Sequence, residues 1–383
     1  MFLPQLLKLL FYKELQTKLI EANNGDTIQL PEGTFNMPGG LSMEGKENIL
    51  IKGAGTDKTF ISFKGQTTGA EGIKISNCTG VTLAGFTVQD AKGDGIKLQK
   101  VNGLTITNVK AEWTGKPSEK NGGYGLYPVQ CRNVLIDSCT AIGASDAGIY
   151  VGQSENIIVR NCKAFHNVAG IEIENSSYAD VYNNEAWENT GGVLIFDLPD
   201  LPVKRGTQAR VFNNNIHNNN HSNFAPKGNI VATTPLGTGM LLLAAKQVEV
   251  FGNKIDNNRT AGIAVASYYI TEKPLKDTAY YPYPEDIYIH NNSITRKRER
   301  ATMQGRMGKM FRFKLKFGKD VPNIIYDGIA DSKNARPVIC LSGNNEETFA
   351  NIDAGNSFKN ISRDAKIYQC KGKSYEPVNL AKL

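Results

Sequence analysis

Glu172 and Glu174 stand one residue apart in the run AGIEIENS, while Tyr150 and Tyr127 hold the place of Glu172 in the two preceding near-copies, AGIYVGQS and YGLYPVQC. If the copies are stacked strands, alternate side chains point the same way. These residues then share one face with Lys97, which holds the same place in GIKLQK. Stacked strands lie about 4.8 Å apart and alternate residues about 6.6 Å apart. Tyr150 is therefore expected beside Glu172 and in the open, with the two glutamates roughly 6 to 7 Å apart and Lys97 about 14 Å from Glu172. Tyrosine faces stack on sugar rings, and carboxylates bind hydroxyls or exchange protons. That separation suits the wider carboxylate pair of an inverting glycosidase, and the same oxygens suit a Ca²⁺ ion.

A corner column, Gln130, Gln153, Asn175 and Asp197, runs beside this row, and Asp197 opens the segment FDLPDLPVKR, which contains Lys204 and Arg205. The catalytic candidates are Glu172, Tyr150 and Asp197; the substrate-binding candidates are Lys97, Tyr127, Glu174, Gln153, Asn175 and Arg205, with Lys204 a second cation for a uronate carboxylate. The alternative is plain cross-strand packing on a solvated face. Asp94 and Asp146, just before the glycine of their copies, either line the same site or bond turn backbone. No metal ligand is assigned: His217 and His221 have i, i+4 spacing, but they lie in an Asn-rich turn and not on the helix that zinc binding at that spacing requires.

Positioning such a row needs a repeating scaffold. The copies open at Gly125, Gly148, Gly170 and Gly192, in steps of 23, 22 and 22 residues. A period that short, filled with alternating β-branched runs and punctuated by Gly and Asn, predicts the coils of a parallel β-helix. Alignment on the glycine predicts an inward column of Ile96, Leu126, Ile149, Ile171, Val193, Met240 and Ile263. The outward column, Lys97, Tyr127, Tyr150, Glu172, Leu194, Leu241 and Ala264, turns apolar after Glu172, a change that solvent alone would not select. Asn108, Asn161, Asn184, Asn214, Asn253 and Asn292 recur past one strand type and predict a structural ladder.

The expected organisation is one domain over residues 1–383: a capping helix at 13–24, main coils at 30–295, a basic insertion at 296–319, and last coils with a C-terminal cap at 320–383. Leu15, Leu19 and Ile20 would form the apolar face of the helix. Residues in excess of the period leave the coil as loops at 114–123, 198–208, 217–237 and 268–286, several of them over one face, which is how a rigid solenoid builds a cleft. Tyr268, Tyr269, Tyr280, Tyr281 and Tyr283 in the last of these either wall that cleft or anchor the loop.

The basic insertion carries ten Lys or Arg against one Glu, a net +9 where the whole chain is +7, so the basicity belongs to this segment and not to the repeat. It would attract an acidic polymer, nucleic acid or an anionic membrane surface, or serve as a solvated loop. Four of the six cysteines, Cys78, Cys131, Cys139 and Cys162, fall in repeat columns and read as small buried side chains. The start MFLPQLLKLLF is too short to span a bilayer and is a poor signal peptide, and no later run reaches transmembrane length. Neither a P-loop nor a dinucleotide fingerprint is present, and no nucleic-acid partner is expected.

The G-I openings and N-x-x-x-x-N-N turns resemble the right-handed parallel β-helix repeat shared by pectate lyases, polygalacturonases and alginate C5-epimerases. GGYGLYPVQCRNVLIDSC, SDAGIYVGQSENIIVRN, VAGIEIENS and TGGVLIFDLP look most like a family of bacterial exported β-helix repeat proteins of unassigned activity. That resemblance, which spans most of the chain from about residue 14, implies an all-β, single-stranded right-handed helix outside the cytoplasm. The expected protein is a monomer that acts on or binds an acidic or neutral polysaccharide along the Lys97 to Asp197 face. The epimerases carry Y-G-F-D-P-H where this chain reads Tyr124-Gly125-Leu126-Tyr127-Pro128-Val129, so their Asp and His are absent. The functions in view are a lyase, epimerase or glycosidase on a uronate glycan, a non-catalytic glycan binder, and an envelope assembly component that meets its partner through the basic loop.

Overall fold

The computed structural model describes residues 3–333, 337–345 and 348–380. Leu3–Glu21 forms a helix that starts well before the expected position 13 and stops short of 24. Leu15 and Leu19 are buried on the first coil, whereas Ile20 is exposed, because a step of one residue turns it about 100° away from Leu19.

The chain then winds through coils of three short strands, of which Tyr124–Val129, Arg132–Asp137 and Thr140–Ile142 make one. Every strand pairs in parallel with its counterpart one coil on, giving an eleven-stranded sheet and a nineteen-stranded sheet around a single core. The eleven-stranded sheet carries the glycine-opened runs. Its register places Ile96, Leu126, Ile149, Ile171, Val193, Met240 and Ile263 in one ladder, all buried, which is the inward column read from the repeat. The opening glycine follows from close packing between coils. A Cβ on Gly125 would stand 2.5 Å from the carbonyl oxygen of Gly148, and one on Gly170 would stand 2.6 Å from that of Gly192.

The asparagine ladder is real but sits one residue later than its first two predicted members. Asn161 is a left-handed corner residue (φ 55°), and the buried column is Cys139, Cys162, Asn184, Asn214, Asn253 and Asn292. Each buried asparagine donates to the next at 2.9 to 3.0 Å. A parallel ladder of Asn167, Asn189, Asn219 and Asn258 stabilises the next corner. The four repeat cysteines are free and buried, while Cys340 and Cys370 form a disulfide that holds the C-terminal segment to its coil. Among the described residues, no helix is long and apolar enough to cross a membrane.

Three insertions and the basic segment meet above the eleven-stranded sheet. Lys204 pairs with Asp277 at 2.6 Å, Lys273 donates to the carbonyl of Gly228 at 2.9 Å, the Asn223 amide donates to Gln304 at 2.9 Å, and Arg306 pairs with Glu272. The loops therefore lock to one another as well as to the sheet.

Candidate functional site

Tyr127, Tyr150 and Glu172 do lie on one outward face. Lys97 pairs in register with Tyr127, Tyr150 with Glu172, Gly152 with Glu174, and Glu172 with Leu194. The face is not open, however. Tyr150 is 3 % exposed, Glu172 1 % and Glu174 7 %, which corrects the expectation of a solvated row. The cover is the segment after Asn215–His217: Phe224, Ala225, Ile230 and Val231 pack on Tyr150, Leu194 and Phe196 as a second apolar cluster. Asn229 in the same segment donates to Asp146 at 2.7 Å and pins the cover over the site.

Under that cover lies a group of acids. The Tyr150 hydroxyl donates to Glu174 Oε1 at 2.6 Å, so Tyr150 is bonded to Glu174 and not to the strand neighbour Glu172. Glu172 Oε2 is buried with no partner among the described residues, as are Asp197 Oδ1 and Gln153 Oε1. Burial drives the Glu172 carboxyl well above its ordinary range, and the nearby Asp146 and Glu174 carboxyls push it further. Burial also raises Glu174, but the Tyr150 hydroxyl opposes this, whereas nothing opposes the rise of Glu172. Burial raises Asp146 to about 7, opposed by Asn229. It raises Asp197 to about 7 as well, opposed by the backbone N–H groups of Gly206 and Arg205. Asp94, whose Oδ1 accepts from the Tyr124 amide at 3.3 Å, rises to about 6, again through burial, with Lys97 opposing.

Tyrosines complete the wall. Tyr124 lies 4.4 Å from Tyr127 and 4.6 Å from Tyr150, ring centre to ring centre. Burial lifts Tyr127 to about 12 and Tyr124 and Tyr150 well above their ordinary value, so all three keep their protons near neutrality and none serves as a phenolate base. Lys97 Nζ sits 5.0 Å from the Tyr127 ring centre and 3.4 Å from Glu71, at the less buried end of the row.

Two candidates have other occupations. Asn175 is fully buried: its amide nitrogen donates to the carbonyls of Leu198 and Val203, and its oxygen accepts from the Leu198 amide at 2.7 Å. It anchors the loop after Phe196, which corrects its reading as a sugar contact. Arg205 stacks over Tyr281 at 4.4 Å and lies 3.8 Å from Glu285, away from the carboxylates except for its charge on Asp197. Gln153 and Asn175 take left-handed backbone (φ 52° and 44°), so the corner column is first of all a turn. His217 stacks parallel to Trp187 and meets Glu185 at 3.2 Å, a structural contact. Among the described residues, no three His, Cys, Asp or Glu side chains are arranged to hold a metal ion.

Asp94, Asp146 and Tyr124 are signalled only weakly, by places that precede or flank the repeat glycine, and Asn229 not at all, since its bond spans 83 residues and depends on an insertion with no periodicity.

The winding, the parallel ladders and the sheet-borne cluster define a right-handed parallel β-helix. Residues 39–197 and 118–272 match the family described as right handed beta helix region, and the chain belongs to that family. No curated protein matches the sequence. Among solved structures the chain is similar to the A-module of mannuronan C-5 epimerase AlgE4 from Azotobacter vinelandii. The identity is 14 % and the TM-score 0.54, over 84 % of this chain and 86 % of that one. The AlgE6 A-module of the same organism is 17 % identical with a TM-score of 0.51, over 71 % and 78 %. A C387A mutant of DFA-IIIase from Arthrobacter chlorophenolicus A6, in complex with DFA-III, is 12 % identical with a TM-score of 0.53, over 91 % and 81 %. At these identities the likeness is one of fold.

Proposed function

We propose that the carboxylate cluster beneath residues 218–237 is an acid–base centre for a uronate-containing polysaccharide, with Glu172 as the proton donor. The observation that carries this reading is Glu172 itself, a buried carboxyl with a free oxygen, raised by its surroundings and set beside a second carboxyl held by Tyr150. A neutral acid next to a charged one is the arrangement by which sites run acid and base chemistry at one pH. Asp197 and Asp146, both near 7, are the groups suited to take up a proton. Lys97, Tyr127 and Asp94 at the less buried end supply a cation, a ring face and an acceptor for the sugar chain, and Gln153 supplies a further acceptor. Tyr150 positions Glu174 through its hydroxyl.

The sugar reaches Glu172 when the segment around Asn229 lifts from Asp146, so opening precedes chemistry. The named activities of two fold neighbours, a mannuronan epimerase and a DFA-IIIase, support a glycan as the substrate class. An extracytoplasmic, monomeric protein acting where such polymers occur fits this reading. A second reading rests on the same burial: a face under permanent cover serves packing alone, as in a non-catalytic envelope assembly protein.

Product analysis separates the two. Polymannuronate, polyguluronate and homogalacturonan are each incubated with wild type and Glu172→Gln, and the products are read by NMR for cleavage, unsaturation and epimerisation. Turnover of one polymer, lost by at least about a hundredfold in Glu172→Gln, is expected for a proton-transfer residue. No turnover of any of the three, or equal turnover by the variant, overturns the proposal.

A further inference from the structure

Beyond Glu172 the outward ladder becomes Leu194, Leu241, Ala264 and Ile325, and two residues on it runs Phe196, Leu243 and Ala266. From Phe196 and Leu241 on, this stretch floors a groove of about 1090 Å³, slightly above the range that ligand sites usually occupy. From Phe196 to Ile352 the groove crosses five successive coils, roughly 19 Å at the usual spacing between strands. Ala264 and Ala266 keep the floor low in the middle, while Phe224, Ile270 and Phe311 from three different insertions form the walls. The space is long and apolar, with room for an extended alkyl chain and few polar groups to meet a sugar's hydroxyls.

Its rim is cationic. Lys227, Lys309 and Lys314 are exposed at the mouth, and Phe313 there is 63 % exposed. Of the three acids lining the groove, Glu272 pairs with Arg306 and Asp327 is buried and accepts from the Ser267 amide and hydroxyl, which leaves the exposed Glu119 against the three lysines. The lysines come from the cover segment and from the basic insertion, whose net +9 exceeds that of the whole chain.

We propose that this groove binds an anionic amphiphile with one long alkyl chain, the chain lying along the Leu241–Ala264–Ile325 floor and the head group meeting Lys227 and Lys309. The basic segment at 296–319 thereby acquires a role, as the wall and the anion receptor of the site. Leu194 packs under the cover segment, and from Leu241 on the outward column faces the alkyl chain.

The test is equilibrium dialysis of radiolabelled palmitate against the full chain below its micellar concentration, with hexadecanol and hexadecyltrimethylammonium as competitors. One saturable site per chain is expected, displaced better by cold palmitate than by the alcohol and poorly by the cation. Ala264→Trp fills the floor and is expected to weaken binding by more than tenfold. Lys227→Glu and Lys309→Glu, both exposed and therefore harmless to folding, are each expected to weaken palmitate binding about three- to tenfold while leaving hexadecanol binding unchanged. Absence of saturable binding by wild type overturns the proposal, as does equal competition by the cation. Sedimentation supplies a further check: if wild type is a dimer that Phe313→Asp dissociates, the groove belongs to a second copy of the chain and the amphiphile reading fails.

Discussion

Asp197→Asn tests whether burial beneath the insertions controls the chemistry of this face. Asp197 is 3 % exposed, and burial moves its carboxyl from 3.8 to about 7 in the folded chain. Below pH 3.8 the group is protonated in both states and contributes nothing to pH dependence. Between 3.8 and about 7 the unfolded chain releases its proton while the folded chain retains it, so this group makes stability fall as pH rises. Above about 7 both states are ionised and the loss is complete. Three powers of ten in proton affinity correspond to about 4 kcal/mol, an order-of-magnitude upper figure. Asparagine keeps an acceptor for the Gly206 and Arg205 amides and carries no charge. The variant is therefore expected to be about as stable as wild type at pH 4 and more stable at pH 8, by up to about 4 kcal/mol. Urea unfolding followed by circular dichroism at the two pH values measures the difference. A variant that is less stable at pH 8, with the same pH profile as wild type, would show that Asp197 is ionised in the folded protein and would refute the argument from burial.

Gly170→Ala places a Cβ 2.6 Å from the Gly192 carbonyl oxygen and 2.9 Å from Asn189 Nδ2, and overpacking between coils is expected to cost about 3 kcal/mol or more, read from the urea midpoint. Asn214→Ala strips the Val181 carbonyl and the Asn184 amide of their buried partner, at about 1 to 3 kcal/mol for each orphaned group, and the same titration measures it. Asn229→Ala removes the 2.7 Å bond to Asp146, and hydrogen exchange is expected to quicken in residues 223–233 by about a factor of five, with the coils unaffected.

The winding of the chain was legible because each coil repeats the same inward ladder, and a two-residue alternation tells which side chains leave the core. That argument placed Tyr127, Tyr150 and Glu172 on one face, as register confirms. It carried no information on what lies above the face. The cover comes from residues 218–237, a segment without periodicity, so the burial of Tyr150 and Glu172 and the bond from Asn229 to Asp146 were beyond pattern reading. Asn175 was misread because a residue at a left-handed corner shares the column of its neighbours while its side chain serves the loop that follows. The asparagine ladder slipped by one at Asn161 because a corner and its next residue are both commonly Asn, and Cys162 takes the buried place there. The disulfide between Cys340 and Cys370 lies where the coil period is no longer readable.

To act as the proton donor, Glu172 must hold its proton near neutrality. Difference infrared spectra of wild type and Glu172→Gln at pH 7 test this most directly, because a buried carboxylic acid and a carboxylate absorb in separate regions. The expected result is the loss of one protonated-carboxyl band in the variant, a band that in wild type persists until the pH is well above the ordinary titration range of glutamate. Loss of a carboxylate band instead would place a charge on Glu172 and remove the proton donor from the proposed site.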